Sequence, residues 1–150
     1  MGMFGTKINL FPSTCCDDSA TLKSVKVHVS NADMATLFAT PIQVIPAPGV
    51  GRFIEIISMS FFYDYVTLAY DAVTLNLTTD TATSKWVQTG TIDATSDKYS
   101  IAVPTTPSIS IPLIGNYWIE NKSVYLKASA ATGSGNGTFD FYILYRIITL

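Results

Sequence analysis

Residues 44–53 read VIPAPGVGRF, with prolines and glycines crowded ahead of a basic residue. The first chemistry such a run suggests is a loop whose backbone N–H groups cradle a phosphate. That requires G-x-x-x-x-G-K-[ST] between a strand and a helix, so that the helix N-terminus meets the anion. Here Gly49 and Gly51 lead into Arg52, Phe53 and a long β-rich run, and no helix signal follows. Pro46 and Pro48 also remove backbone donors. The stretch is therefore expected to be a rigid corner between strands, in which prolines pre-set φ and Gly49 and Gly51 accept positive φ.

The other reactive residue types form no constellation. His28 is the only histidine, and alternation puts it on the polar side of a strand, where a surface role is expected. Cys15 and Cys16 are neighbours, which cannot bridge without a strained ring and lack the partners of a zinc site. Glu55 and Glu120 could form an acid/base pair only if the fold joined them, and strand-edge charges are the plainer expectation. Asp17, Asp18, Asp64, Asp71 and Asp80 lack the spacing of a calcium loop. Asn76, Asn121 and Asn136 begin glycosylation sequons, which a Thr- and Ser-rich chain produces by chance. Trp86, Tyr99, Tyr117 and Trp118 could stack on sugars, although such aromatics more often pack a sandwich end or an interface. No catalytic residue, cofactor or metal is expected, and the chain is not read as an enzyme.

The elements behind these residues are mostly strands. Val25, Val27 and Val29 alternate with Lys26 and His28. Val73, Leu75 and Leu77 alternate with polar residues, as do Ile109, Ile111 and Leu113, and then Val124, Leu126 and Ala128. This is the period of half-buried antiparallel strands. Ser30 followed by Asp33 marks a short capped helix that Pro41 would stop, and a second helical turn is expected over residues 91–98. The predicted fold is all-β, an antiparallel, jelly-roll-like sandwich over residues 21–150 preceded by an extended N-terminal arm, residues 1–20. Val25, Val27, Val44, Ile57, Leu75, Leu77, Ile111, Leu126, Phe141 and Ile143 are its expected core.

Two strands are apolar on both faces. One carries Phe53, Ile57, Met59 and Phe61 against Ile54, Ile56 and Phe62. The last places Phe139, Phe141, Ile143, Tyr145 and Ile147 against Tyr142, Leu144 and Ile148, with Asp140 and Arg146 interrupting the second row. Such strands need cover on both sides. A subunit neighbour is the expected cover and a folded-back loop the rival, so Tyr142, Leu144 and Ile148 are assigned to an interface. In the arm, Phe4, Ile8, Leu10 and Phe11 lack strand alternation yet need a partner, and are assigned as anchors.

Composition fits that view. The 150 residues suffice for one domain with a real core. With 48% hydrophobic and 13% charged residues the surface is poor in charge, which favours cover by assembly. A net charge of −2 offers no basic stripe for nucleic acid. No apolar run reaches membrane-span length, and the first residues do not read as a targeting peptide.

Residues 40–70, TPIQVIPAPGVGRFIEIISMSFFYDYVTLAY, resemble a segment of small virion proteins of tailed bacteriophages. That segment has a strand, a P-A-P-G-x-G-[KR] corner, a long apolar strand, then Asp-Tyr and a later Tyr. The matching residues are Ile42, Val44, the run from Pro46 to Arg52, Asp64, Tyr65 and Tyr70. Residues 132–150, TGSGNGTFDFYILYRIITL, resemble the last hairpin of the same proteins. The resemblance spans about residues 40–70 and 123–148 and is thin elsewhere. It implies particle building, as head decoration, cement or fibre base, and supplies no catalytic residues. The expectation is a virion protein made in the bacterial host cytoplasm, a homotrimer bound to the major capsid protein, with no nucleic-acid or membrane partner. The competing expectation is a receptor- or glycan-binding module of a head or tail fibre.

Overall fold

The computed structural model describes residues 21–79, 85–89, 91–92, 94–102 and 120–150, and of 85–88 the backbone alone. The arm with Phe4, Ile8, Leu10 and Phe11 lies outside the described residues. So do Cys15, Cys16, Asp17, Asp18, Asp80, Ile109, Ile111, Leu113, Tyr117, Trp118 and the Trp86 side chain.

Among the described residues eight strands follow one another, with one short helix between the first two. They are β1 (Lys23–Val29), α1 (Asn31–Thr36), β2 (Ile42–Ile45), β3 (Arg52–Asp64), β4 (Leu75–Thr78), β5 (Lys85–Gln88), β6 (Lys98–Ala102), β7 (Val124–Ala128) and β8 (Thr138–Thr149). They form two antiparallel four-stranded sheets, ordered β1-β8-β3-β6 and β2-β7-β4-β5. The pairs β1·β8, β2·β7, β3·β6 and β4·β5 join the first described strand to the last and so on inward. The chain is thus an all-β sandwich wound like one long hairpin rolled up.

Alternation generates the core as expected for most strands. Val44, Leu75, Leu77, Leu126, Phe141 and Ile143 are buried. Val25 and Val27 are only half-buried, because β1 lies at the edge of its sheet, with β8 as its one neighbour among the described strands.

Strand β3 corrects the two-sided reading. Its pairing with β8 slips between Ile56, opposite Tyr145, and Ser58, opposite Leu144, leaving Ile57 as an extra residue. A β-bulge of this kind reverses which side chains face inward. Ile54 and Ile56 point into the core before it, and Met59, Phe61 and Tyr63 after it. Ile57, expected in the core, is only half-buried. The two apolar rows of β3 are therefore two halves of one inward face, and most of this strand needs no cover from a neighbour.

Helix α1 forms where the capping signal placed it. Ser30 Oγ accepts from the Asp33 backbone N–H at 3.2 Å, and the Ser30 N–H donates to Asp33 Oδ2 at 3.0 Å. The second expected turn does not form in the described part of residues 91–98. Ile92 instead bridges Val73, donating its N–H to the Val73 carbonyl at 2.7 Å. Lys98 already belongs to β6.

Candidate interaction surface

The outer face of the β1-β8-β3-β6 sheet brings together residues from four separate parts of the chain. Ser60 stands opposite both Tyr142 and Ile101, and Phe62 opposite both Asp140 and Tyr99. Residues paired across antiparallel strands point to the same side, so Phe62, Tyr99, Ile101 and Tyr142 share one surface. Their exposures are 40%, 62%, 61% and 45%. Farther along β8, Leu144 and Ile148 continue the row and are half-buried.

The charges of this sheet that do not sit at a strand end are all paired. Asp140 receives Lys26 Nζ at 2.9 Å and lies 2.8 Å from His28 Nδ1. These bonds, Lys26 first, hold the Asp140 carboxyl below its ordinary range, and Asp140 in turn raises the Lys26 ammonium. The Lys26 ammonium also lies 5.4 Å from the centre of the Tyr142 ring. Arg146 Nε donates to Glu55 Oε2 from the facing strand. The surface thus carries exposed aromatic and aliphatic groups between neutralised charges, with little net field of its own.

Among the described candidates for reactive chemistry or modification, His28, Glu55, Glu120 and Asn76 have these surroundings. His28 and Asp140 make the pairing found in a Ser-His-Asp relay. Lys26 shares the same carboxylate, and among the described residues no hydroxyl or thiol bonds the other ring nitrogen. Glu55 and Glu120 are not brought together. Glu55 pairs with Arg146, whereas Glu120 Oε1 accepts the Gly51 N–H at 2.5 Å. Asn76 is 3% exposed, which leaves its sequon no room for a glycan. Among the described residues no cluster of three or more His, Cys, Asp or Glu could hold a metal ion.

The glycine-rich run is the expected corner. Gly49 has φ +100° and Gly51 φ +73°. Their N–H groups do meet an acceptor and an anion, but both belong to the chain: Asn121 Oδ1 takes Gly49 at 3.0 Å and Glu120 takes Gly51. Asn121 adopts positive φ itself and donates its N–H to the Arg52 carbonyl at 2.8 Å. The Leu150 N–H reaches the Gly51 carbonyl at 2.8 Å. The corner therefore ties together the start of β3, the chain's end and the approach to β7.

A second feature, which sequence reasoning missed, joins residues 64–71 to residues 132–137. Asn136 Oδ1 accepts the N–H groups of Thr67 and Leu68 at 3.1 and 2.9 Å, and its Nδ2 donates to Thr67 Oγ1 at 2.7 Å. Asp71 accepts from the Gly133 N–H and the Ser134 hydroxyl. Tyr70 is buried beneath, its hydroxyl 2.7 Å from the Gly137 carbonyl oxygen. Burial pushes that phenol up to about 12, with Tyr63 adding to the shift. Tyr63 stacks on Phe139 at 4.6 Å, and Tyr70 lies 5.7 Å from the same ring. The available signal was the GSGNG run beside a conspicuous tyrosine series. Its meaning depended on a contact between distant segments.

No family model matches the chain, and no curated protein does. Among solved structures, a chain of the cyanophage Pam1 capsid asymmetric unit aligns with a TM-score of 0.49 and 13% identity, covering 97% of this chain and 99% of that one. A chain of Bacillus endospore appendages, disulfide-linked pili, aligns with a TM-score of 0.37 and 15% identity over 91% and 98%. A chain of Mud crab tombus-like virus gives 0.35 and 14% over 100% and 92%. Two of these three neighbours are viral. At such scores and identities the likenesses carry no weight on function.

Proposed function

We propose that the chain is a non-enzymatic structural protein of a bacteriophage virion, a head decoration or cement subunit that assembles through the outer face of its β1-β8-β3-β6 sheet. The observation that carries this reading is the exposed group Phe62, Tyr99, Ile101 and Tyr142 on a face whose internal charges are already paired. Apolar surface of this kind gains about 25 cal/mol per Å² when covered, and large exposed patches mark interaction sites. Leu144 and Ile148 extend the proposed contact along β8. The strand order supports the reading too, since a rolled hairpin of eight strands is the jelly roll used by many capsid domains. The resemblance of residues 40–70 and 132–150 to tailed-phage virion proteins points the same way.

In this account the subunit is a homotrimer, and residues 1–20 anchor it to the major capsid protein through Phe4, Ile8, Leu10 and Phe11. Incubating the full chain with undecorated heads tests both parts. Binding should saturate at a fixed ratio, and removing residues 1–20 should abolish it while the sandwich stays folded. A full chain that ignores heads sinks the proposal.

One observation favours a second reading. Tyr99 and Phe62 are opposite each other and exposed, a stacking surface suited to sugar rings. A fibre-tip module would bind cells or polysaccharide as an isolated chain, and Tyr99→Ala would remove that binding.

A further inference from the structure

Asn136 is followed by Gly137, the only Asn-Gly pair in the sequence. We infer that Asn136 is a site of spontaneous deamidation that the loop clasp holds closed in the folded protein. The reaction is intramolecular. The Gly137 nitrogen attacks Asn136 Cγ and a new C–N bond forms. The bond from Cγ to the side-chain nitrogen breaks, and ammonia leaves carrying the proton given up by the Gly137 N–H. Water then opens the cyclic imide at either carbonyl, giving an aspartyl or an isoaspartyl residue. Glycine is the most permissive following residue, because it lacks the side chain that would hinder both the attack and the backbone rotation it needs.

The side chain that must react, and the residue that supplies the nucleophile, are both confined by the fold. The Asn136 side-chain oxygen accepts from Thr67 and Leu68, and its nitrogen donates to Thr67 Oγ1. The Asn136 N–H donates to the Leu68 carbonyl at 3.1 Å. Ring closure must turn this side chain back onto its own following peptide, against bonds that draw it toward residues 67 and 68. The nucleophile's residue is equally confined. Gly137 is buried, a Cβ on it would lie 2.3 Å from the Tyr63 ring, and its carbonyl is held by Tyr70. Reaction therefore requires the clasp to open. The rate in native buffer becomes the rate in the unfolded chain multiplied by the open fraction.

The consequence of escape is built into the same contacts. An isoaspartyl residue carries the backbone through an extra methylene, so the N–H of Gly137 and the carbonyl held by Tyr70 can no longer occupy their places. A clasp in which Asn136 has become isoaspartyl is thus prevented from closing as before.

Peptide mapping by mass spectrometry tests this on the full chain, incubated folded and in urea at one mildly alkaline pH. The expected result is conversion of Asn136 to aspartyl and isoaspartyl forms in urea, and its near absence in the folded protein. Asp71→Asn weakens the clasp at Gly133 and Ser134 without touching Asn136, and should speed conversion in native buffer. Equal rates in folded and unfolded protein, or an Asn136 that survives in urea, would overturn the inference. An Asp71→Asn protein that is folded yet converts no faster than the parent would overturn the assignment of the gate to the clasp. If that variant does not fold, the folded-versus-urea comparison on the parent chain still decides.

Discussion

A Cβ placed on Gly135 would lie 2.2 Å from Cδ1 of Tyr70, and Gly135 has φ +108°. Both facts forbid a side chain there, and they do so independently. Gly135→Ala should therefore cost the sum of a backbone penalty and a steric one, on the order of 2–5 kcal/mol. Urea unfolding monitored by fluorescence would measure it. Moving Tyr70 out of the way is no escape, because its hydroxyl is held at Gly137 and its ring packs on Phe139.

Gly49 makes the control. Its φ is also positive, but nothing stands within 4 Å of a Cβ built on it. Gly49→Ala should cost only the conformational part, about 1–2 kcal/mol. The two variants unfolding at the same urea concentration would mean that the Tyr70 contact contributes nothing.

Ser30→Ala removes a hydroxyl that caps α1 and also bonds the Asp33 carboxylate at 2.6 Å. The expected loss is about 0.5–2 kcal/mol, read from thermal or urea unfolding. Ser30 holds the Asp33 carboxyl below its ordinary value. In the variant, NMR titration should find the Asp33 carboxyl returning upward. An unmoved titration would mean that the Asp33 shift does not come from the cap.

The Asp140 carboxylate should make stability depend on pH at both extremes. Its folded pKa lies below the ordinary 3.8, so its contribution is present above that value and is lost as pH falls through the depressed one. Lys26 has the opposite sign. Raised above 10.5, it contributes below that value, and its share fades as pH climbs through the raised one. Asp140→Asn should flatten both limbs of a stability-versus-pH curve. Both groups are close to solvent, so the effect should be small and should shrink with added salt.

Much of this was legible from local pattern. Period-two alternation located β1, β4, β7 and β8, the Ser30–Asp33 spacing located α1, and the two glycines of the corner called for positive φ. The failures share a cause, which is that the deciding partner was remote in sequence. In β3, nothing local distinguishes an extra residue at Ile57 from a strand that is apolar on both sides, because the bulge exists only in its register with Tyr145 and Leu144. Val25 and Val27 look as apolar as any core residue, and their half-exposure follows from the edge position of β1 among the described strands. A helical turn is expected over residues 91–98, but the Ile92 backbone finds its partner at Val73. Likewise Asn136 looked like a chance sequon, and only its position over Thr67 and Leu68 reveals a clasp.

With most apolar residues of β3 turned inward on either side of its bulge, the apolar outer surface of this sheet lies mainly on β8 and its neighbours. Tyr142 remains exposed, Leu144 and Ile148 remain on the outer row, and Phe62, Tyr99 and Ile101 adjoin them. The direct measurement is sedimentation of the parent chain beside a variant carrying Tyr142→Ser, Leu144→Thr and Ile148→Thr. These replacements spare the inward residues Phe139, Phe141 and Ile143, and largely keep β propensity. The account predicts an oligomeric parent and a folded, monomeric variant. A variant that sediments as the same oligomer as the parent would contradict it.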